Sequence, residues 1–94
     1  MLANVGVLCG DSGTPITDLI TCQEAFNSYV INEVNNARMD PFDGFTWSDH
    51  AGGCYINMAD NPPHVYFNND LSGTAGSSDR QICTKESGEY TLIF

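Results

Sequence analysis

The residues with the clearest chemistry in this chain are its four cysteines, Cys9, Cys22, Cys54 and Cys83. They are even in number and widely spaced, whereas zinc ligands usually occur in close pairs such as Cys-x-x-Cys, and the chain has no such pair. We therefore expect two disulfide bonds in an extracellular module; the alternative is four free, buried thiols in an intracellular domain. Four cysteines allow three pairings.

The chain also contains a candidate calcium loop. The spacing of an EF-hand loop is followed by Asn68, Asp70, Ser72, Gly73 and Asp79. However, an asparagine replaces the first aspartate, an aspartate replaces the bidentate glutamate, and no helix is predicted on either side. Turn formation explains the same residues, so we predict no metal site and no cofactor.

A nucleophilic site would need the two histidines. His50 and His64 lie near Cys54 in the sequence, and a Cys–His pair is a known nucleophilic arrangement. A disulfide at Cys54 removes this chemistry. Ser48 and Asp49 directly precede His50, but the members of a catalytic triad usually meet in space rather than along the chain. We therefore expect no enzymatic activity and no catalytic residues.

Three aromatic residues, Trp47, Tyr55 and Tyr66, fall on neighbouring predicted strands. If they share the outer face of a sheet, they form a platform on which sugar rings can stack. The alternative is that Trp47, the largest side chain, belongs to the core. Contexts rich in Gly and Pro also leave O-linked sugar open at Thr14, Ser72, Thr74, Ser77 and Ser78. Glycans, bound or O-linked, are thus candidate partners.

The composition excludes several classes of partner. The chain has 94 residues and a formal net charge of −9, and its length allows a single domain, residues 1–94. Nucleic acid needs a basic patch, which three scattered cations, Arg38, Arg80 and Lys85, do not provide. No apolar run approaches the roughly 20 residues of a membrane span.

One amphipathic helix is predicted over residues 22–37, before Pro41. Thr21 and Glu24 have the spacing of a capping box that would begin it. The apolar stripe consists of Cys22, Ala25, Phe26, Tyr29, Val30, Val34 and Ala37. This stripe predicts a helix that covers one face of a sheet.

Short strands are predicted over residues 4–9, 44–47, 53–58, 64–68, 81–84 and 89–94. One helix among such strands predicts an α+β fold, in which the helix packs on a small antiparallel sheet. Cys22 opens the helix stripe and Cys54 lies on an inward strand face, so a bridge between them is favoured. That leaves Cys9 and Cys83 for the second bridge.

Both terminal segments are apolar. Their apolar residues are Leu2, Val5 and Val7 at one end and Tyr90, Leu92 and Phe94 at the other. Either both strands lie within the domain's own sheet, or residues 1–9 pair with a neighbouring copy, because an apolar edge strand is a template for pairing.

The order of several motifs resembles a small domain of predicted secreted or surface proteins of microalgae. The motifs are Gly53-Cys54-Tyr55, Val65-Tyr66-Phe67-Asn68 and Ile82-Cys83. The resemblance implies an extracellular, disulfide-bonded module that often occurs in several copies and has no known catalytic residues. The chain is more loosely similar to PAN/apple modules, which bind protein or carbohydrate; their helix usually carries two cysteines, and this one carries Cys22 alone.

Two functional hypotheses follow. The first is a non-enzymatic structural module, secreted or at the cell surface, that assembles with copies of itself into a filament or tandem array through its terminal strands. The second is an adhesion module that binds carbohydrate or protein through Trp47, Tyr55 and Tyr66. The charge of −9 means that assembling copies must overcome mutual repulsion.

Overall fold

The helix begins earlier and ends earlier than the sequence predicts. In the computed structural model, which describes residues 9, 13–39 and 46–84 and the backbone of 90–92, the helix has three consecutive segments. They are α1 (Leu19–Ala25), a π-helical segment (Phe26–Val30) and α2 (Ile31–Glu33). Val34 is extended and Asn36 has a φ of 63°, a left-handed conformation that asparagine tolerates. The chain therefore leaves the helix before residue 34, and the prediction of a helix to residue 37 is wrong.

The N-terminus of the helix is capped by Asp18. Its carboxylate accepts a hydrogen bond of 2.8 Å from the backbone N–H of Thr21. The predicted capping box of Thr21 and Glu24 is therefore wrong. The helix begins one turn earlier, and Asp18 is the N-cap residue that accepts from the backbone N–H of Thr21. The backbone amide of Thr21, and then its side chain, hold the pKa of the Asp18 carboxyl below its ordinary value of 3.8.

We expect Asp18→Ala to lower the Tm by a few degrees at neutral pH, because it removes the cap. A lowered pKa in the folded state means that the ionised carboxylate favours folding. Its contribution is complete above the unfolded pKa and is lost as the pH falls through the folded pKa. The difference between wild type and variant, followed by circular dichroism, should therefore shrink below about pH 4. Glu24→Ala is the control, and an equal loss of Tm there would indicate the capping box instead.

Six strands are described. They are β1 (Thr14–Pro15), β2 (Arg38–Met39), β3 (Gly53–Asn57), β4 (His64–Asn68), β5 (Asp79–Thr84) and β6 (Tyr90–Leu92). Their order is β1-β5-β3-β4-β2, and β6 pairs with β5. All the pairs are antiparallel except β2 with β4, which is parallel. The predicted α+β class is confirmed, although the sheet is mixed rather than purely antiparallel.

The predicted strands differ in how well they agree with the strands of the structure. The hairpin of β3 and β4 agrees with the prediction to within a residue, and β5 begins two residues early. Residues 46 and 47 do not form the predicted strand. Residues 44–45 and most of the N-terminal strand lie outside the described residues, as do Leu2, Val5, Val7 and Phe94. Neither β1 nor β2 was predicted, since two residues carry no periodicity.

Both predicted disulfide bonds are confirmed. Cys22–Cys54 joins α1 to β3, and Cys9–Cys83 joins the N-terminal part of the chain to β5. The first lies at the centre of the core, where both of its residues are fully buried. The second lies apart from that cluster, on the other face of the sheet.

The core lies between the helix and the inner face of the sheet. Its buried residues are Ile16, Cys22, Ala25, Val30, Val34, Ala37, Cys54, Ile56, Val65, Phe67 and Ile82. Side chains alternate along a strand, so Tyr55 and Tyr66, which come between these core positions, lie on the outer face. No helix among the described residues is long and apolar enough to cross a membrane.

Candidate functional site

Loops cover the outer face of the sheet, and buried polar side chains hold them there. Asn68, Asp79 and Gln81 are each at most 2% exposed. They belong to β4 and β5, and each bonds to the backbone of a segment that crosses above the sheet. Gln81 donates to the carbonyl oxygen of Gly52 and accepts from the backbone N–H of Cys9, both at 2.7 Å. A buried polar group is costly unless it is bonded in this way, so these side chains fix the loops in place.

Asn68 positions the segment that carries Trp47. Its Oδ1 accepts from the backbone N–H of Trp47 at 2.9 Å, and its Nδ2 donates to the Trp47 carbonyl oxygen at 2.6 Å. The same Nδ2 lies 3.1 and 3.2 Å from the carbonyl oxygens of His50 and Ala51. Both backbone polar groups of Trp47 are thereby held by one buried side chain.

Asp79 fixes the ring of His50 in a similar way. One carboxylate oxygen accepts from the backbone N–H groups of Ala51 and Gly76, each at 2.9 Å, and lies 3.1 Å from His50 Nδ1. The carboxylate itself is 1% exposed. The orientation of the His50 ring is therefore set by a buried group on β5.

The rings on the outer face form a continuous row, which we call the aromatic row: Trp47, His50, Tyr55, Tyr66 and His64. The ring of His50 lies 4.9 Å from that of Trp47 and stacks on that of Tyr55 at 5.7 Å. The ring of Tyr66 lies 5.6 Å from that of Tyr55, 6.1 Å from that of Trp47 and 6.1 Å from that of His64. Aromatic rings attract one another in offset and edge-to-face pairs at such separations.

The members of the aromatic row differ in their exposure. The structure brings Trp47, Tyr55 and Tyr66 together, as the sequence predicts for the outer face, but Tyr55 is fully buried and offers no surface to a ligand. Trp47 is 41% exposed, so it is not a core residue. The surface accessible to a ligand thus consists of Trp47 and part of Tyr66, with Tyr55 beneath them.

Acidic side chains surround these rings. The hydroxyl of Tyr66 donates a hydrogen bond of 2.6 Å to Asp60, and His64 Nδ1 lies 3.9 Å from the same carboxylate. Burial, followed by the negative charge of Asp79, raises the pKa of the Tyr55 hydroxyl far above its ordinary value. The negative charges of Asp60 and Asp49 act in the same direction, so the carboxylates of Asp79, Asp60 and Asp49 together contribute a negative potential at this part of the outer face.

The candidate calcium loop is used differently by the fold. Asn68 holds the Trp47 segment, and Asp70 accepts from both the backbone N–H and the hydroxyl of Ser72. The Asp79 carboxylate accepts from the backbone N–H groups of Ala51 and Gly76 and contacts the ring of His50. Among the residues described, no three acidic, histidine or cysteine side chains are grouped so that they could hold a metal ion.

The candidate nucleophilic arrangement of Cys54 with a histidine is not formed, because the sulfur of Cys54 is bonded to that of Cys22. His50 contacts Asp79 rather than a cysteine. The sequence predicts neither the contact of His50 with Asp79 nor the hydrogen bond from Tyr66 to Asp60. Alternation along β4 is the signal that could have placed His64, Tyr66 and Asn68 on one face.

The fold and the site together define a class of protein: a small, acidic, disulfide-bonded α+β module with an aromatic and acidic outer face. Comparisons with protein-family models, with curated proteins and with solved structures gave no match. Function is therefore inferred from the chain's own residues.

Proposed function

We propose that the protein is a non-enzymatic, extracellular structural module that assembles head to tail with its own copies. In this assembly the apolar N-terminal segment, with Leu2, Val5 and Val7, pairs with the C-terminal strand of a neighbour, near Tyr90 and Leu92. Such a contact joins two different surfaces and is open-ended, so it forms filaments or arrays rather than closed dimers. The resemblance to a repeated surface domain of microalgae agrees with this proposal.

The position of β6 is the observation that carries the proposal. Within the described strands β6 pairs with β5 alone, whereas β5 pairs with β1, β3 and β6. β1 and β6 both pair with Cys83 and Thr84, so they lie on opposite sides of β5. Among the described strands β6 therefore lies at an edge of the sheet, and an edge strand offers backbone groups to an added strand.

The second support is the anchoring of the N-terminal part of the chain. Cys9 is bonded to Cys83 of β5, and its backbone N–H donates to Gln81. Cys83 is also the register partner of Thr91 in β6. Cys9, which directly follows the proposed donor segment in the sequence, is thus fixed to β5, the strand that pairs with the proposed acceptor strand β6.

Assembly should depend on ionic strength. Each copy carries a net charge of −9, so copies repel one another when salt is low. Added salt shortens the range of this repulsion, while backbone pairing and apolar burial persist. We therefore expect the disulfide-bonded copies to assemble more readily at higher salt.

Deletion of residues 2–8 tests the proposal while leaving Cys9 in place. We expect the full chain to form elongated particles under negative-stain electron microscopy and the deletion variant to remain monomeric, with its circular dichroism spectrum unchanged. Trp47→Ala is the control, and it should assemble like the full chain. A monodisperse monomer at every salt concentration, or equal assembly without residues 2–8, would contradict the proposal.

A second candidate function is carbohydrate binding through the aromatic row, favoured by the exposed ring of Trp47 and its contact with Tyr66. A glycan array probed with wild type and with Trp47→Ala tests this function. Binding that is lost in Trp47→Ala, with the fold intact, supports it; absence of binding to every glycan contradicts it. Because the deletion variant retains the aromatic row, it should bind like the wild type.

A further inference from the structure

We propose that the outer face binds a basic segment of a partner protein, with a lysine or arginine side chain seated against Trp47. This proposal goes beyond self-assembly, since it concerns a different surface and a different partner. We call this surface the acidic aromatic surface and define it by Trp47, Tyr66, Asp49 and Asp60.

The ring geometry suits an organic cation. The planes of Trp47 and Tyr66 are inclined at 64° with their centroids 6.1 Å apart, so they form two walls of a corner. Trp47 is substantially exposed, and tryptophan is the ring whose face attracts ammonium and guanidinium groups most strongly. A corner of this kind offers a cation the negative face of an aromatic ring together with an apolar wall.

The charges at this corner are complementary to a basic partner. Asp60 is held at the corner by the hydroxyl of Tyr66, and the exposed Asp49 lies two residues from Trp47 along the chain. Burial is the main cause of the raised pKa of the Tyr55 hydroxyl beneath them, and the carboxylates of Asp79, Asp60 and Asp49 add to it. Arg80 lies on the opposite face of the sheet, where its Nη1 is 3.4 Å from Met58 Sδ.

The surface is also pre-organised. Asn68 holds both backbone groups of Trp47, and Asp79 holds the ring of His50 against Trp47 and Tyr55. A binding surface that is already ordered loses little conformational entropy when a ligand arrives. A neutral sugar can use the ring face and can donate hydroxyl groups to the carboxylates, but only a cation also gains from their negative charge, so the charges favour a cationic ligand.

An NMR titration with short peptides tests the proposal. The probe is a glycine-spaced peptide with two lysines and one arginine, and the control peptide has glutamine in their place. At about 50 mM NaCl we expect the basic peptide to bind about tenfold more tightly than the control and to weaken several-fold at about 500 mM. A third titration, with tetramethylammonium, measures how strongly a cation binds without any peptide contacts.

Three variants locate the binding. Trp47→Leu removes the ring face and should weaken binding by about two- to fivefold. Asp49→Asn changes an exposed side chain, so the fold is retained, and it should weaken binding to a similar degree. Glu33→Gln removes an equal charge from the exposed face of α2, across the sheet, and should bind like the wild type.

Three results would overturn the proposal. One is equal binding of the basic and glutamine peptides. Another is a loss in Glu33→Gln as large as that in Asp49→Asn, which would mean attraction to net charge alone. The third is a response of the Trp47 indole to neutral oligosaccharides but not to the basic peptide, which would assign the surface to glycans instead.

Discussion

Replacing Cys22 and Cys54 together by alanine is expected to lower the free energy of unfolding by about 4 kcal/mol. The bridge closes a loop with a sequence separation of 32 residues, and its loss restores that conformational freedom to the unfolded chain. Both side chains are fully buried in the core, so their removal also leaves space that the surrounding residues must fill. For a domain of this size the loss is a large part of the total stability. Urea unfolding followed by circular dichroism measures it.

The second bridge provides the matched comparison. Cys9–Cys83 spans 74 residues, so chain entropy alone predicts a slightly larger loss for its removal. It lies outside the main core cluster, however, and its removal leaves no space between helix and sheet. We therefore expect removal of Cys22–Cys54 to reduce cooperativity as well as stability. A loss below about 1 kcal/mol for that bridge would contradict its role as the link between helix and sheet.

Asn68→Ala is expected to lower the free energy of unfolding by about 3 kcal/mol and to change the environment of Trp47. The variant removes the amide that bonds to the carbonyl oxygens of Trp47, His50 and Ala51, and the oxygen that accepts from Trp47. Backbone groups left without partners in a buried position carry a desolvation penalty. Because Trp47 is the only tryptophan, its fluorescence emission should shift to longer wavelength as the segment loosens.

Two further variants separate the causes. Asn69→Ala changes the neighbouring, exposed asparagine and should leave both stability and fluorescence close to wild type. Asn68→Asp keeps the shape but replaces the donor by an acceptor, which would face carbonyl oxygens, so it should destabilise at neutral pH at least as much as alanine. Equal effects of Asn68→Ala and Asn69→Ala would show that the side chain of Asn68 does not hold the Trp47 segment.

Periodicity explains how much of the fold is predictable. The alternation around Cys54 and Val65 is regular, so it predicts the hairpin of β3 and β4. The same apolar spacing misleads at the end of the helix: Val34 and Ala37 continue the helical period and are buried, yet they reach the core from a turn. Apolar spacing reports which side chains are buried, but the backbone conformation there depends on local residues such as Asn36.

The start of the helix shows a different limit. Both Asp18 and Thr21 are good N-cap residues, and the sequence alone favoured Thr21 because Glu24 completes a capping box. In the fold the helix extends back to Asp18, and Thr21 becomes the donor of the capping bond. A choice between two adequate caps is decided by packing of the first turn, which no local pattern reveals.

The site was only partly predictable for a related reason. Strand alternation places Tyr55 and Tyr66 on the outer face, as the sequence predicts. The burial of Tyr55 depends on the segment that crosses above it, and that segment is held by Asn68 and Asp79, which lie 18 and 29 residues from His50. Such long-range side-chain bonds to the backbone have no signature in the spacing of apolar residues.

The proposed assembly and the proposed binding of a basic partner use separate parts of the sheet. Assembly uses the edge at β6, whereas binding uses the outer face around Trp47. Trp47→Ala should therefore weaken binding of the basic peptide and leave assembly intact, whereas deletion of residues 2–8 should abolish assembly and leave that binding intact. If one variant impaired both properties, the two surfaces would not be independent.

Cross-linking between copies tests the central claim, assembly through the terminal segments, most directly. A photoreactive benzoylphenylalanine placed at Val7 in unlabelled protein is mixed with ¹⁵N-labelled wild type, disassembled, reassembled and illuminated. After reduction, trypsin cleaves behind Lys85 and releases residues 86–94 as a separate peptide. We predict cross-links between the unlabelled Val7 peptide and ¹⁵N-labelled residues 86–94, detected by mass spectrometry. Cross-links to unlabelled residues 86–94 alone, or none to this peptide, would contradict the account.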